Sequence, residues 1–244
     1  LQTVNATPEQ LLKMRNIRLS VLWMHSRVYN VTELYAKEDA ATRLHVASYD
    51  IDVFLNGIAE QINEIMAPTF QGSIRVTSAK PGKKIMVQFD GRRVSTILFQ
   101  LISNALLHGG TANKSIWIRY DVQRDKIIIS VKDKGRGIPV QELPELFHVR
   151  QRALPAPDST LLPPAIHGLG LPLCKKFARE MGGDIVGENQ KVGAKFTLCI
   201  PCCVSADRVQ QPQIYIPDPY VLSMCMASVY VAQEAGKIPV LLKE

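Results

Sequence analysis

Apolar residues in the first part of the chain recur in alternating steps of three and four: Met14, Ile17, Val21, Met24, Val28, Val31 and Tyr35. This is the a/d seam of a heptad repeat, and no proline falls between residues 9 and 67, so the pattern predicts one long helix over residues 8 to about 44. The seam is narrow and its intervening positions are polar. It therefore favours a bundle or a dimer over packing against the helix's own domain.

The pattern resets around Ala47-Ser48-Tyr49-Asp50-Ile51-Asp52. Asp50 or Asp52 is placed to cap a second helix that carries Phe54, Leu55, Ile58, Ile62, Ile65 and Met66 and stops at Pro68. Residues 73–78 and 84–89 alternate as strands joined by a turn at Pro81-Gly82. A helix over residues 92–108 is stopped by Gly109-Gly110, and residues 115–120 and 126–131 form a hairpin-like pair around 123–125. Residues 144–166 contain Pro155, Pro157, Pro163 and Pro164, which excludes helix and fits a loop over a site. A helix over 171–181 ends at Gly182-Gly183, and strands at 184–186 and 194–200 follow. The chain thus divides into a heptad helix (1–47), a mixed α/β region (48–203) and an extension (204–244) whose apolar stretch 220–231 has no clear place.

At 244 residues and 46% hydrophobic, the chain is long and apolar enough for a packed core. It has no run of eighteen or more apolar residues and no basic-then-apolar leader, so it is expected to be cytoplasmic, with a membrane reached only through segments upstream. A first residue other than Met points to a fragment of a longer protein. Cys174, Cys199, Cys202, Cys203 and Cys225 show no recurring Cys-x-x-Cys pairs and read as reduced thiols. The net charge of +7 invites a nucleic-acid reading, but the basic residues are scattered, without interleaved aromatics for base stacking, and no nucleic-acid partner is expected.

Three clusters carry chemistry. On the helix 92–108, Gln100, Asn104 and His108 share one face, and the Asn104 carboxamide oxygen suits a hard cation such as Mg²⁺. The alternative is a helix-face asparagine satisfied by its neighbours. Asp133 ends the apolar strand 126–131, where it is either a turn cap or an acceptor for an exocyclic amine such as adenine offers. Gly135 and Gly137 let a base approach the backbone there. Gly168 and Gly170 lead into a helix N-terminus, whose unpaired N–H groups suit a phosphate; a hinge without ligand is the other reading.

In this order, the Asn-bearing helix, the box Asp133-Lys134-Gly135-Arg136-Gly137 and the box Gly168-Leu169-Gly170-Leu171 make the chain resemble the catalytic, ATP-binding domain of sensor histidine kinases. That domain sits in the wider family that includes Hsp90 and gyrase B. The resemblance covers residues 51–201 and implies an α+β fold of the Bergerat type: a two-layer sandwich of a mixed, mostly antiparallel sheet with helices on one face. It implies ATP and Mg²⁺ as ligands, with Asn104 holding the metal, Asn104 and Gln100 in catalytic roles, and a mobile lid over 147–167. Nucleotide contacts would fall on Asn104, His108, Asp133, Gly135, Gly137, Ile138 and the lid's Phe147. Further contacts would fall on Gly168, Leu169, Gly170, Leu171 and, within Gly193-Ala194-Lys195-Phe196-Thr197, on Thr197.

The implied activity is transfer of the ATP γ-phosphoryl to a histidine upstream of this chain, and then to a response-regulator aspartate. The heptad helix would be the remnant of a dimerisation bundle that makes a homodimer. His25 is followed by Ser26-Arg27-Val28-Tyr29-Asn30, without the acid and proline the family places after its phosphoacceptor, and reads as an ordinary bundle histidine. Three departures matter. Gln100 replaces the glutamate that serves hydrolases as a base, Leu107 stands where a phosphate-reaching lysine is common, and Ala165-Ile166 replaces a lid glycine. Lys134, Arg136, Arg150 and Arg152 are candidates to meet the triphosphate instead. The alternative function is a degenerate nucleotide-binding or scaffold module without kinase activity.

Overall fold

A computed structural model describes residues 7–36, 44–66, 72–108, 115–149 and 168–204, with Tyr215, Leu222, Ser223, Met226, Ala227 and Val229. Helix α1 spans Pro8–Tyr35, shorter than the heptad pattern alone predicts. It starts on a capping box, in which the Thr7 hydroxyl accepts from Gln10 N–H while the Gln10 side chain accepts from Thr7 N–H, with Pro8 in the first turn. The reset that follows is a strand, β1 (Val46–Asp50), which the sequence pattern left unassigned. Asp50 then caps α2 (Ile51–Met66) by accepting from the Asp52 and Val53 N–H groups.

Strands β2 (Ser73–Ser78) and β3 (Met86–Asp90), expected to be joined by a turn at Pro81-Gly82, do not pair with each other. β2 runs parallel to β4 (Ser115–Gln123) at the edge of a five-stranded sheet, whereas β3 lies between β1 and β8 (Cys203–Val204) in a separate three-stranded sheet. The larger sheet has the order β2-β4-β5-β7-β6, with β5 at Lys126–Lys132, β6 at Asp184–Asn189 and β7 at Ala194–Pro201. All of its pairings except β2–β4 are antiparallel.

Alternation puts Ile116, Ile118, Ile127, Ile129, Leu198 and Ile200 on one fully buried face of that sheet. Helices α2, α3 (Gly91–His108) and α4 (Gly170–Glu180) supply the other layer of the core, so the fold is the expected α+β sandwich. Every residue of α3 from Val94 to Ser103 is buried, as befits a helix walled in on all sides. Its first turn is anchored by a charge cluster in which Arg93 pairs with Glu180 at the end of α4 and lies 3.8 Å from Asp90.

Helix α1 packs on α4. Lys176 Nζ donates to the Glu33 and Ala36 carbonyls at 2.6 and 3.0 Å and so ties the C-terminal end of α1 to α4. The heptad seam, Met14 to Tyr35, faces solvent at every position, with exposures from 41% to 66%. In the extension, Tyr215 enters the aromatic cluster of Tyr49, Phe54 and Phe89, and Leu222, Met226 and Val229 are buried in the same core. No helix among the described residues is long and apolar enough to cross a membrane. Among the described residues Cys174, Cys199 and Cys202 are in no disulfide, and Cys225 lies outside them.

Candidate nucleotide site

The last turns of α3, the loop after β5, the first turn of α4 and the middle of α1 enclose one cavity of about 260 Å³. That is near the lower end of the range for small-molecule sites, about 300–1,000 Å³. Gln100, Ser103, Asn104, Leu107 and His108 line it from α3, as the 3.6-residue period requires.

Asp133 forms part of the opposite wall. It is 8% exposed and is held rigidly: its Oδ1 accepts from Gly135 N–H at 2.7 Å and Ala194 N–H at 3.2 Å, while its own N–H donates to the Ala194 carbonyl at 3.0 Å. Among the described residues both hydrogen bonds to the carboxylate fall on Oδ1, and Oδ2 accepts none. Gly193 permits this closeness, since a Cβ there would lie 2.2 Å from the Asp133 carbonyl oxygen. Downstream, the Asn189 side chain clamps the loop by accepting from Ile138 N–H and donating to the Ile138 carbonyl, both at 2.7 Å. Gly137 and Ile138 thereby become fixed parts of the wall.

Gly168, Gly170 and Leu171 also line the cavity, and Leu169, the residue before α4, makes no side-chain cap. The first-turn N–H groups of α4 and the positive end of its dipole are thus offered to an anion. Gln100 packs directly on this turn: a Cβ at Gly170 would lie 2.5 Å from Gln100 Oε1. Gln100 Nε2 in turn donates to Asn30 Oδ1 of α1 at 3.2 Å.

The structure brings Gln100, Asn104, His108, Asp133, Gly137, Ile138, Gly168, Gly170 and Leu171 together. Four other residues stand off the wall. Gly135 supports Asp133 from behind, and Leu169 is buried at the helix start. Phe147 packs on the core under Lys175, whose Nζ lies 5.1 Å from the ring centroid, while its neighbours Leu146 and His148 reach the cavity. Thr197 is displaced by strand alternation: Ala194 and Phe196 face the cavity from β7, so Thr197 belongs to the opposite face of the sheet.

Lys134 lies over Trp117, 4.9 Å from its ring centroid, and is not among the cavity residues. Arg150, Arg152, Ala165, Ile166 and His167 fall outside the described residues. Sequence reasoning missed Ser26, Arg27 and Asn30 of α1, which line the cavity beside α3. Their polar types on the flank of an apolar seam look like any solvated helix face. Burial disfavours the charged form of Arg27 and lowers its pKa from the ordinary value, yet a guanidinium stays protonated at neutral pH.

Residues 89–203 match the family described as histidine kinase-, DNA gyrase B- and HSP90-like ATPase. Among curated proteins, the aerobic respiration control sensor protein ArcB of Escherichia coli strain K12 is 29% identical over 207 residues, 83% of this chain and 26% of ArcB. The signal transduction histidine-protein kinase AfsQ2 of Streptomyces coelicolor is 36% identical over 121 residues, 48% of this chain and 21% of AfsQ2. The chain therefore spans about a quarter of the length of these relatives. Among solved structures, full-length ShkA in complex with AMPPNP superposes with a TM-score of 0.64 at 22% identity, over 84% of this chain and 41% of ShkA, which shows the shared fold. Residues 89–203 thus carry the domain of this ATPase family, and the chain around them is similar to sensor histidine kinases.

Proposed function

We propose that this chain binds Mg-ATP in the α3/α4 cavity and delivers the γ-phosphoryl group to a histidine outside the chain, from which a response-regulator aspartate receives it. The observation that carries this reading is that one cavity is lined both by Asp133, whose Oδ1 takes its two backbone hydrogen bonds, and by Asn104 with an uncapped helix N-terminus. Asp133 Oδ2 suits the exocyclic amine of adenine, and Ile138 and Phe196 offer apolar surface to the ring. The first turn of α4 suits phosphate oxygens. Asn104 is the residue that would ligate Mg²⁺, which, when bound, neutralises phosphate charge.

Transfer is favoured over hydrolysis. Gln100 occupies the position from which a base would act on water, and an amide takes no proton at neutral pH. Its nitrogen is moreover engaged by Asn30. Dimerisation through α1 belongs to the same proposal, since the exposed heptad seam is the surface a second copy would cover.

Calorimetric titration with Mg-ADP tests the reading. Saturable micromolar binding is expected, and Asp133→Asn should abolish it by placing an amide donor against the adenine amine. Unchanged binding in Asp133→Asn would remove the assignment of the base end. In the longer protein, labelled ATP should yield acid-labile phosphate on histidine, whereas rapid multiple-turnover phosphate release would favour an ATPase.

A further inference from the structure

We infer that Arg27 of helix α1 is a polyphosphate-binding residue of this nucleotide site, so that α1 is part of the site itself as well as of a dimerisation surface. The inference rests on the adenine-nucleotide reading above and adds a ligand from an element outside the α/β domain.

The position of Arg27 in the cavity follows from two contacts near it. Asn30 is one turn further along α1 and is bonded to Gln100; Gln100 abuts Gly170, the first residue of α4. Arg27 therefore lines the cavity one helical turn from the point where Asn30, Gln100 and the start of α4 meet, with its guanidinium carbon 5.2 Å from the Trp23 ring centroid. This placement is braced, because Lys176 ties the end of α1 to α4, the same helix whose first turn faces the cavity.

Charge completes the argument. The face that α3 turns to the cavity carries Gln100, Ser103, Asn104, Leu107 and His108, without a fixed positive charge. Among the described lining residues the fixed cations are Arg27 and Arg136, and Arg136 belongs to the loop that follows Asp133. A bound triphosphate carries several negative charges, and a guanidinium meets two phosphate oxygens at once through its planar fork. The partial desolvation of Arg27 strengthens such a contact, since a charge removed from water interacts more strongly with an opposite charge.

Arg27→Met keeps the apolar stem and removes the charge; Arg27→Lys keeps the charge and loses the fork. Titration of each variant with adenosine, ADP and Mg-ATP separates phosphate from base recognition, and nucleotide-free melting checks the fold. Arg27→Met is expected to weaken ADP and Mg-ATP by about tenfold or more with adenosine within about twofold of wild type, and Arg27→Lys should fall between. Equal losses for adenosine and ADP, or unchanged ADP and ATP affinities in a folded Arg27→Met protein, overturn the inference. In either case the site reading survives wherever Asp133→Asn still abolishes binding to all three ligands. A wild-type chain that binds none of the three overturns both.

Discussion

At the scale of single residues, the site depends on how Asp133 is held. Gly193 has φ +79°, a region that a side chain rarely adopts, and its missing Cβ is what lets β7 approach the Asp133 carbonyl. Gly193→Ala is therefore expected to cost about 2 kcal/mol or more in denaturant unfolding and to weaken nucleotide binding by displacing Asp133. Thr197→Ala, on the opposite face of β7, should leave both within experimental scatter of wild type. A larger loss in Thr197→Ala than in Gly193→Ala would reverse the assignment of faces. Asp133, Asn104 and the glycines at 168 and 170 are legible in the sequence because their chemistry is intrinsic to residue type and spacing. Thr197 shows the limit. Its role depended on which face of a strand it occupies, and that is fixed by the pairing of Ser130 with Thr197 and Lys132 with Lys195 rather than by any local motif.

At the scale of elements, α1 carries two faces with separate tasks. The heptad seam was legible from periodicity alone, and all seven of its residues remain exposed after the chain folds. The opposite side buries Ser26 and Asn30 against the α/β domain, and nothing in their residue types announces it. Val21 and Val28 lie in the middle of the seam, and placing Asp at both puts four like charges in a two-stranded interface. On the proposed dimerisation through α1, light scattering should report a dimer for the wild type and a monomer for this variant, with nucleotide affinity unchanged. A dimer that survives both substitutions would assign self-association to another surface. The strand pairing of β2 and β3 was the other illegible feature at this scale. Both alternate as strands, but alternation does not name a partner, and the turn at Pro81-Gly82 separates two sheets instead of closing a hairpin.

At the scale of the whole molecule, the described tail residues help close the core beside β1 and β3, and two buried tyrosines report on that closure. Tyr49 packs in tilted contact with Phe54 and Phe89 and edge-to-face with Tyr215, and the Tyr215 hydroxyl is 2.5 Å from Ser95 Oγ of α3. Tyr120 on β4 donates to Asp52 of α2 at 2.8 Å. Burial pushes both phenols above their usual pKa. The neighbouring Tyr215 and Asp90 add to the shift at Tyr49, whereas at Tyr120 a hydrogen bond with Ser78 opposes burial and Asp52 reinforces it. The raised folded value means that their contribution to stability is fully present below the unfolded pKa of about 10 and is lost as pH rises through the folded pKa. Urea midpoints should consequently hold from neutral pH to about pH 9.5 as far as these groups are concerned and then fall, because the unfolded chain releases phenolic protons that the fold retains. Lysines and thiols titrate nearby, so the informative quantity is the difference between wild type and variant. Tyr49→Phe should flatten the alkaline slope with little change at pH 7. Tyr120→Phe should flatten it as well and in addition lower the midpoint at pH 7, since it removes the hydrogen bond that joins α2 to the sheet. Slopes identical to wild type in both variants would mean that these hydroxyls titrate in the folded protein as they do in water, and that the core around Tyr215 is open to solvent.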